Sequence, residues 1–232
     1  MTPERLPDRQ IPQIKICGLT DVEQALACAR LGAQAVGCVF YPKSPRYVSD
    51  RRATDICRAL PSAVKSVGVF VDENFSTIMR KVDRCRLAAV QLHGQETPAL
   101  VDRLCRENLR VIKALFIHKP PRIDRASAYA AGAFIVEYGQ GTLPGGNALA
   151  WDWNQVSAFR AEKPLILAGG LSADNVGEAI DACRPDAVDV SSNVESAPGQ
   201  KDLNKVKAFI AAVRQTGSGR ADGAARPLRK IF

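Results

Sequence analysis

Eight short apolar runs follow one another along the chain, starting 22 to 31 residues apart. The runs are residues 13–17, 35–39, 65–71, 88–92, 110–116, 133–137, 164–168 and 187–190. Each run is nearly continuous in apolar residues and does not alternate with polar ones. This pattern is typical of strands that are buried on both faces of a parallel sheet.

Helical patterns fill the gaps between the runs. Residues 22–29 carry apolar side chains at the i, i+3, i+4, i+7 spacing, and residues 203–213 carry a similar stripe. The other predicted helices are residues 50–59, 74–84, 97–106, 123–130, 153–160 and 175–182. Eight strand–helix units without a linker predict a single-domain α/β protein, a (β/α)8 barrel (TIM barrel) over residues 13–214. A doubly wound open sheet is the alternative, but the GxGxxG turn that often marks it is absent.

The composition is that of an ordinary globular protein, with 232 residues, 46% hydrophobic and 24% charged. No apolar run approaches the ~20 residues of a membrane span, so we expect no membrane partner. Residues 1–12 form a polar extension without the features of a signal peptide. The seven cysteines are odd in number, scattered and without a CxxC pair. They indicate reduced thiols in a cytoplasmic protein and argue against a disulfide framework or a zinc site.

The formal net charge of +8 is unevenly placed. From Arg214 onward five basic residues face one acidic residue, which gives the tail +4 and leaves +4 for the body. Residues 215–232 are rich in Gly, Ala and Arg without an apolar period, which predicts a disordered basic tail. Since no aromatic residues are interleaved with these charges, we expect no nucleic-acid partner. The positive body favours an anionic substrate.

In a barrel of this class the loops after the carboxyl ends of the strands build the site. Cys17 ends the first run, where a rigid strand would fix a reacting thiol, although a buried structural cysteine fits as well. Arg46 would grip a carboxylate or remain a solvated charge. His93 could be a ligand, a base or an ordinary hydrogen-bonding histidine. No second histidine or carboxylate lies at metal-ligand spacing from it, so we expect no metal. Glu137 ends the sixth run, ahead of a glycine-rich loop, residues 138–152, that would act as a lid.

Two neighbouring loops carry an anion-binding pattern. Gly169 and Gly170 would let backbone approach a ligand closely, while Ser191, Ser192 and Asn193 offer hydroxyl and N–H groups. Loops after the seventh and eighth strands, beside a helix N-terminus, form the usual phosphate site of such barrels. A Gly-Gly pair alone would be a plain turn, so it is the pairing of the two loops that predicts phosphate binding.

Eight motifs in this order resemble those of the phosphoribosylanthranilate isomerase family of the tryptophan pathway. They are KICGLT at 15–20, GCVF at 37–40 with SPRY at 44–47, VGVFV at 67–71, VQLHG at 90–94, GG at 145–146 with WDW at 151–153, AGGL at 168–171, DVSS at 189–192 with VE at 194–195, and PG at 198–199 with KD at 201–202. Each motif alone is weak, but eight in the right order are highly specific. The resemblance covers residues 13–214.

The resemblance implies a reaction and a role for each site residue. The reaction is an Amadori rearrangement of N-(5-phosphoribosyl)anthranilate to 1-(2-carboxyphenylamino)-1-deoxyribulose 5-phosphate, without a cofactor. Cys17 is the expected general base and Glu137 the expected general acid. The other expected contacts are Arg46 with the anthranilate carboxylate, Asp189 with the ribose hydroxyls, Gln91 and His93 as the floor, and Gly169, Gly170, Leu171, Ser191, Ser192 and Asn193 with the phosphate. The partner would be this small phosphorylated molecule, and the chain a monomer or a homodimer.

A cysteine serves as a base only where its thiolate is stabilised, and we expect Lys43 and Arg46 of the second loop to do so. The sequence departs from the family pattern at Glu137, where the family has aspartate, and at Ala148 and Asn193, where glycine is usual or common. An alanine at 148 is strained if that site needs a positive φ.

These departures keep open a non-catalytic phosphosugar-binding barrel. Another phosphosugar aldose–ketose isomerase is a further alternative, although the two-aspartate site of the histidine-pathway isomerase does not match Cys17. A pentulose-phosphate epimerase would need metal-binding histidines that the chain lacks.

Overall fold

Eight parallel strands close into a barrel in which each strand pairs with the next along the chain and the last pairs with the first. This computed structural model describes residues 11–140, 151–157, 159, 162–216 and 227–232. The barrel strands are β1 (Gln13–Cys17), β2 (Ala35–Val39), β3 (Lys65–Phe70), β4 (Ala89–Leu92), β5 (Arg110–Phe116), β6 (Ala133–Glu137), β7 (Leu165–Leu167) and β8 (Ala187–Val190).

The α-helices of the described residues lie outside this barrel. They are α1 (Val22–Leu31), α2 (Asp50–Ala59), α3 (Phe75–Cys85), α4 (Pro98–Arg106), α5 (Asn154–Ser157), α6 (Val176–Cys183) and α7 (Leu203–Thr216). Two 3-10 helices, Ile123–Ala128 and Ser192–Val194, accompany a small hairpin of β9 (Glu195–Ala197) and β10 (Gln200–Lys201).

All eight predicted strands are present in the predicted order, so the single-domain (β/α)8 barrel is confirmed. The α-helix predicted at residues 123–130 is wrong. The chain forms the 3-10 helix Ile123–Ala128 there, because no side chain of the segment is buried to hold an α-helix against the barrel. Within the described ranges, no helix has the length and apolar composition needed to cross a membrane.

Side chains that point into the barrel form two layers of different chemistry. The lower layer, at the amino ends of the strands, is apolar and consists of Ala35, Val67, Ala89, Ile112, Ala133, Ile166 and Ala187. Because successive side chains of a strand alternate between its faces, the inward positions above this layer include the polar residues Lys15, Cys17, Gln91, Glu137 and Asp189. These five polar side chains therefore lie above the apolar layer, towards the carboxyl ends of the strands.

The prediction of a disordered tail over residues 215–232 is wrong for residues 215 and 216, which end α7, and for the last six residues. Residues 227–232 lie against the amino end of the barrel, where Ile231 and Phe232 are 2% and 3% exposed and join the lower apolar layer. Two apolar residues carry no periodicity, so the pattern did not distinguish them from a solvated tail. Residues 217–226 lie outside the described part of the chain.

A buried ion pair fixes the backbone on both sides of His93. Lys113 Nζ lies 2.8 Å from Glu96 Oε2, and both side chains are fully buried. Lys113 also donates to the carbonyls of Leu92 and Gly94, at 3.3 and 2.8 Å. Burial lowers the pKa of Lys113, and the carboxylate of Glu96 only partly opposes that shift. The pair thus stabilises the turn after β4 and with it the position of His93.

We expect Lys113→Met to lower the free energy of unfolding by about 3–5 kcal/mol, because it leaves the Glu96 carboxylate buried without its ammonium partner. Adding Glu96→Gln should restore part of the loss, since the buried charge is then removed as well. Denaturant unfolding of both variants measures this. The exposed Lys207→Met is the matched control and should change stability by no more than about 0.5 kcal/mol.

Candidate active site

The carboxyl end of β1 places a thiol beside buried charges. Cys17 is 8% exposed. It fits against β2 because Gly37 has no side chain there, since a Cβ at Gly37 would lie 2.7 Å from the sulfur. Two residues earlier Lys15 is fully buried, and its Nζ lies 2.8 Å from Oδ2 of Asp189 on β8. The structure therefore brings Cys17 and Asp189 together through Lys15.

Burial raises the pKa of Cys17 above its ordinary value, while Lys15 and Lys201 oppose that shift by favouring the thiolate. The expectation that Lys43 and Arg46 stabilise the thiolate is wrong. Lys43 is exposed, and the guanidinium of Arg46 is engaged by a carboxylate of its own. The ammonium groups that act on the thiol come instead from β1 and β10.

Three polar side chains from β4, its following turn and β6 form a hydrogen-bonded row. Gln91 Nε2 lies 2.9 Å from His93 Nδ1, and His93 Nε2 lies 3.0 Å from Glu137 Oε2. All three side chains are buried. When Gln91 donates to Nδ1, the imidazole proton lies on Nε2 and is donated to the Glu137 carboxylate. The expected acid and the expected floor residues thus form one unit.

Arg46 is fixed by two interactions that leave part of its guanidinium available. Its Nε and Nη2 donate to the two carboxylate oxygens of Glu195, at 2.9 and 2.7 Å. Lys201 Nζ lies 2.6 Å from the same carboxylate. The aliphatic stem crosses Gly18, where φ is +79° and an added Cβ would lie 2.5 Å from Cδ of Arg46. A ligand carboxylate would therefore meet the edge formed by Nη1 and Nη2.

The loops after β7 and β8 meet at the mouth of the barrel. Gly169 and Gly170 have positive φ values of +89° and +67°, and a Cβ on Gly169 would lie 2.8 Å from Cγ of Glu137. Asn193 Nδ2 donates to the carbonyls of Gly170 and Leu171, at 3.0 and 3.1 Å. These contacts tie the two loops together and bring them up against the expected acid.

Two serines complete the surface at this mouth. Ser191 and Ser192 are half-buried, and Ser191 Oγ donates to the carbonyl of Cys17 at 3.1 Å. Leu171 differs from the other residues expected here, because it is only 2% exposed and its side chain belongs to the core. Only the backbone of Leu171 is therefore able to meet a ligand. The six residues expected at a phosphate are brought together, and their binding of phosphate stays a prediction.

Aromatic rings close the base of the loop after β6. The rings of Tyr138 and Trp151 stack with 5.8 Å between centroids, and Trp151 Nε1 donates to the carbonyl of Ala168 at 3.4 Å. Residues 141–150 lie outside the described residues, so the lid and the strain expected at Ala148 stay predictions.

Three charged residues of this site, Lys15, Glu195 and Lys201, lie within the family motifs, but the sequence assigns them no role. For Lys15 a signal was available, because a lysine within a strand buried on both faces must find a partner inside the barrel. For Glu195 and Lys201 the motifs mark the positions but not the contacts, because both residues lie in the hairpin after β8, whose fold the apolar pattern does not predict.

Fold and site together are those of a (β/α)8-barrel enzyme whose site contains groups suited to acid–base chemistry. A buried thiol ends β1 and a buried carboxyl ends β6, both at the carboxyl end of the barrel and beside loops suited to an anion. Among the described residues, no group of three or more His, Cys, Asp or Glu side chains is placed to hold a metal ion.

The chain belongs to the N-(5'-phosphoribosyl)anthranilate isomerase family, whose model matches residues 14–212. The isomerase of Desulfatibacillum aliphaticivorans is 50% identical over 205 residues, covering 88% of this chain and 94% of that protein. The crystal structure of the Thermotoga maritima isomerase is 40% identical with a TM-score of 0.81, covering 88% of this chain and 99% of that one. A phosphoribosyl anthranilate isomerase in complex with reduced 1-(o-carboxyphenylamino)-1-deoxyribulose 5-phosphate is 40% identical with a TM-score of 0.78 and the same coverage. The resemblance carried by the motifs is confirmed.

We expect Glu195→Gln to destabilise the fold by about 3–5 kcal/mol at neutral pH, because Arg46 and Lys201 are left facing each other around a neutral amide. Burial raises the pKa of Glu195, but its two cationic partners outweigh burial and hold the pKa below its ordinary value. The stability from this group is therefore present above the unfolded pKa of about 4.3 and is lost as the pH falls through the folded pKa.

The measurement is denaturant unfolding of both proteins between pH 7 and pH 3. The gap between wild type and Glu195→Gln should narrow as the pH falls, whereas the exposed Glu107→Gln should follow wild type throughout. A gap that stays constant with pH would show that the lost stability does not come from the ionised carboxylate.

Proposed function

We propose that the chain catalyses the Amadori rearrangement of N-(5'-phosphoribosyl)anthranilate to 1-(2-carboxyphenylamino)-1-deoxyribulose 5-phosphate in tryptophan biosynthesis. The observation that carries the proposal is the placement of Cys17 and Glu137, both buried, at the carboxyl ends of β1 and β6 in the same barrel. Family membership supports the substrate, and one relative binds a reduced form of the product. The direct test is the loss of phosphoribosylanthranilate fluorescence when purified protein is added.

Two proton transfers make up the proposed reaction. Glu137 gives a proton to the ring oxygen as the C1′–O bond breaks and an iminium forms. The Cys17 thiolate then removes the C2′ proton, and the resulting enolamine tautomerises to the aminoketose. Lys15 and Lys201 support the thiolate against the effect of burial.

The remaining polar groups position the substrate. Asp189 Oδ1 is buried and has no hydrogen-bond partner among the described residues, which suits an acceptor for a ribose hydroxyl. Arg46 presents its Nη1 edge to the anthranilate carboxylate, with Glu195 holding the opposite edge. The phosphate lies against Gly169, Gly170, Leu171, Ser191, Ser192 and Asn193. Cytoplasmic location and a monomeric or homodimeric state stay predictions.

A non-catalytic phosphosugar-binding barrel is the second candidate. One observation favours it: Glu137 is one methylene longer than the aspartate of the family, and its carboxylate is held by His93 at 3.0 Å. A misplacement of about 1 Å in a catalytic group costs about a hundredfold in rate. Activity of the wild-type protein separates the two candidates.

We expect Cys17→Ser to lower kcat by about 10²–10⁴, with little change in substrate binding, because a serine hydroxyl is too weak an acid to form the base. In wild type, kcat/KM should rise with pH as the thiolate forms. Since burial raises the Cys17 pKa, that rise should extend above about pH 8.5. Steady-state kinetics from pH 6 to 10 measure both effects. Cys105→Ser, on the outer helix α4, is the control, and near-normal turnover by Cys17→Ser would contradict the assignment.

We expect Glu137→Gln to abolish turnover, because an amide cannot protonate the ring oxygen, and Glu137→Asp to retain or raise it. The measurement is kcat for wild type and both variants under saturating substrate. An inactive wild type that Glu137→Asp activates would identify a binding relative one substitution away from catalysis. A Glu137→Gln variant as fast as wild type would place the acid elsewhere, with Asp189 the first residue to examine.

A further inference from the structure

A segment of the chain itself occupies the amino end of the barrel, opposite the candidate active site. Ile231 and Phe232 are 2% and 3% exposed and pack with the lower apolar layer of the barrel interior. The segment, residues 227–232, lies outside residues 14–212 that the family model matches. Its contacts are therefore a feature of this chain that family membership does not assign.

One glutamine side chain binds the backbone of this segment. Gln13 Oε1 accepts the N–H groups of Ile231 and Phe232, at 2.6 and 3.2 Å. Gln13 Nε2 donates to the Phe232 carbonyl at 3.3 Å, and Arg110 donates to the carbonyl of Ile231. Main-chain hydrogen bonds beside apolar pockets are the means by which proteins recognise extended peptides.

An ion pair anchors the other end of the segment. Asp186, just before β8, is fully buried, and Arg229 donates to its two carboxylate oxygens from the backbone N and from Nη2, at 2.8 and 3.0 Å. Burial raises the pKa of Asp186, but Arg229 and other hydrogen bonds outweigh it, so the pKa lies below its ordinary value. Lys230, between the anchors, is exposed. The contacts thus favour a peptide with an arginine at one position and apolar side chains two and three positions after it.

We propose that the amino end of the barrel is a peptide-binding site whose ligand is residues 227–232, an internal plug that stabilises the fold. A cleft of about 310 Å³ opens beside Ile231 and Phe232 and is lined also by Lys65, Ala88, Ala89, Asn108 and Arg110. Pro227 and Lys230 are exposed and no barrel strand pairs with the segment, so it covers the barrel end without being part of the barrel sheet. The ligand class is a short basic–apolar peptide.

The first test removes residues 227–232 and follows thermal unfolding. The midpoint should fall by about 5–15 °C, because two buried apolar side chains and a buried ion pair are lost together. A synthetic peptide of sequence PLRKIF, added in trans, should raise the midpoint of the truncated protein and leave that of the full chain unchanged. A peptide of sequence PLRKSS should have no effect. Unfolding does not depend on the proposed activity, so its result is separate from any failure of the enzyme assay.

Point variants in the full chain cover the case in which the truncated protein does not fold. Ile231→Ala and Phe232→Ala should each lower the midpoint by several degrees, whereas the exposed Lys230→Ala should stay within about 1 °C of wild type. Equal midpoints for all three variants and wild type would overturn the proposal. The proposal would also be overturned if the truncated protein had the same unfolding midpoint as the full chain, or if PLRKIF and PLRKSS raised that midpoint equally.

Discussion

The ion pair between Lys15 and Asp189 is the interaction on which the upper half of the barrel depends. A charge inside the barrel is stable only with a partner, because a low-dielectric interior penalises an isolated ion by several kcal/mol. Burial opposes the charged form of Lys15, yet Asp189 and Cys17 outweigh it and raise its pKa. One ammonium group therefore joins β1 to β8 and supplies positive charge beside the thiol. The pairing of Glu195 with Arg46 and Lys201 applies the same rule at the rim, where it fixes the guanidinium edge that faces the site.

The barrel could be predicted from the sequence because every strand is buried on both faces, and each strand therefore appears in the sequence as a continuous apolar run. The partners of the buried charged side chains could not be predicted from the sequence. Lys15 lies 174 residues from Asp189, and Arg46 lies 149 residues from Glu195. Residue spacing along a chain reports faces of helices and strands, and it does not report which distant loops meet. The plug shows the same limit, since the burial of Ile231 and Phe232 follows from Gln13 and Asp186 at the far end of the barrel and from no pattern of their own.

The hydrogen-bonded row of Gln91, His93 and Glu137 explains how a glutamate could act as the general acid at a position where the family has aspartate. With Glu137 ionised, His93 donates from Nε2 and accepts at Nδ1 from the Gln91 amide. With Glu137 protonated, its hydroxyl donates to Nε2, and the proton of the imidazole moves to Nδ1. Gln91 Oε1, which has no partner among the described residues, then accepts that proton's hydrogen bond after the amide rotates. The Gln91–His93 and His93–Glu137 hydrogen bonds thus persist in both protonation states of Glu137, and the row accommodates the charge change that a proton donor undergoes.

The inward face of β1 contributes a residue to the plug contact at one end of the barrel and a residue to the candidate active site at the other. Gln13, Lys15 and Cys17 all point inward because residues two apart in a strand share a face. Gln13, which binds the plug, therefore lies four residues, about 13 Å, from Cys17 along the strand. Parallel neighbours hydrogen-bond β1 on both sides, to β2 and to β8, and that ladder fixes the strand whether or not its lower end is covered. The apolar layer between them contains no charge that would transmit a change in the plug to the ion pair above. Stability can therefore be added at the amino end of this barrel without altering the carboxyl end, where proton transfer needs Cys17 and Glu137 in fixed positions.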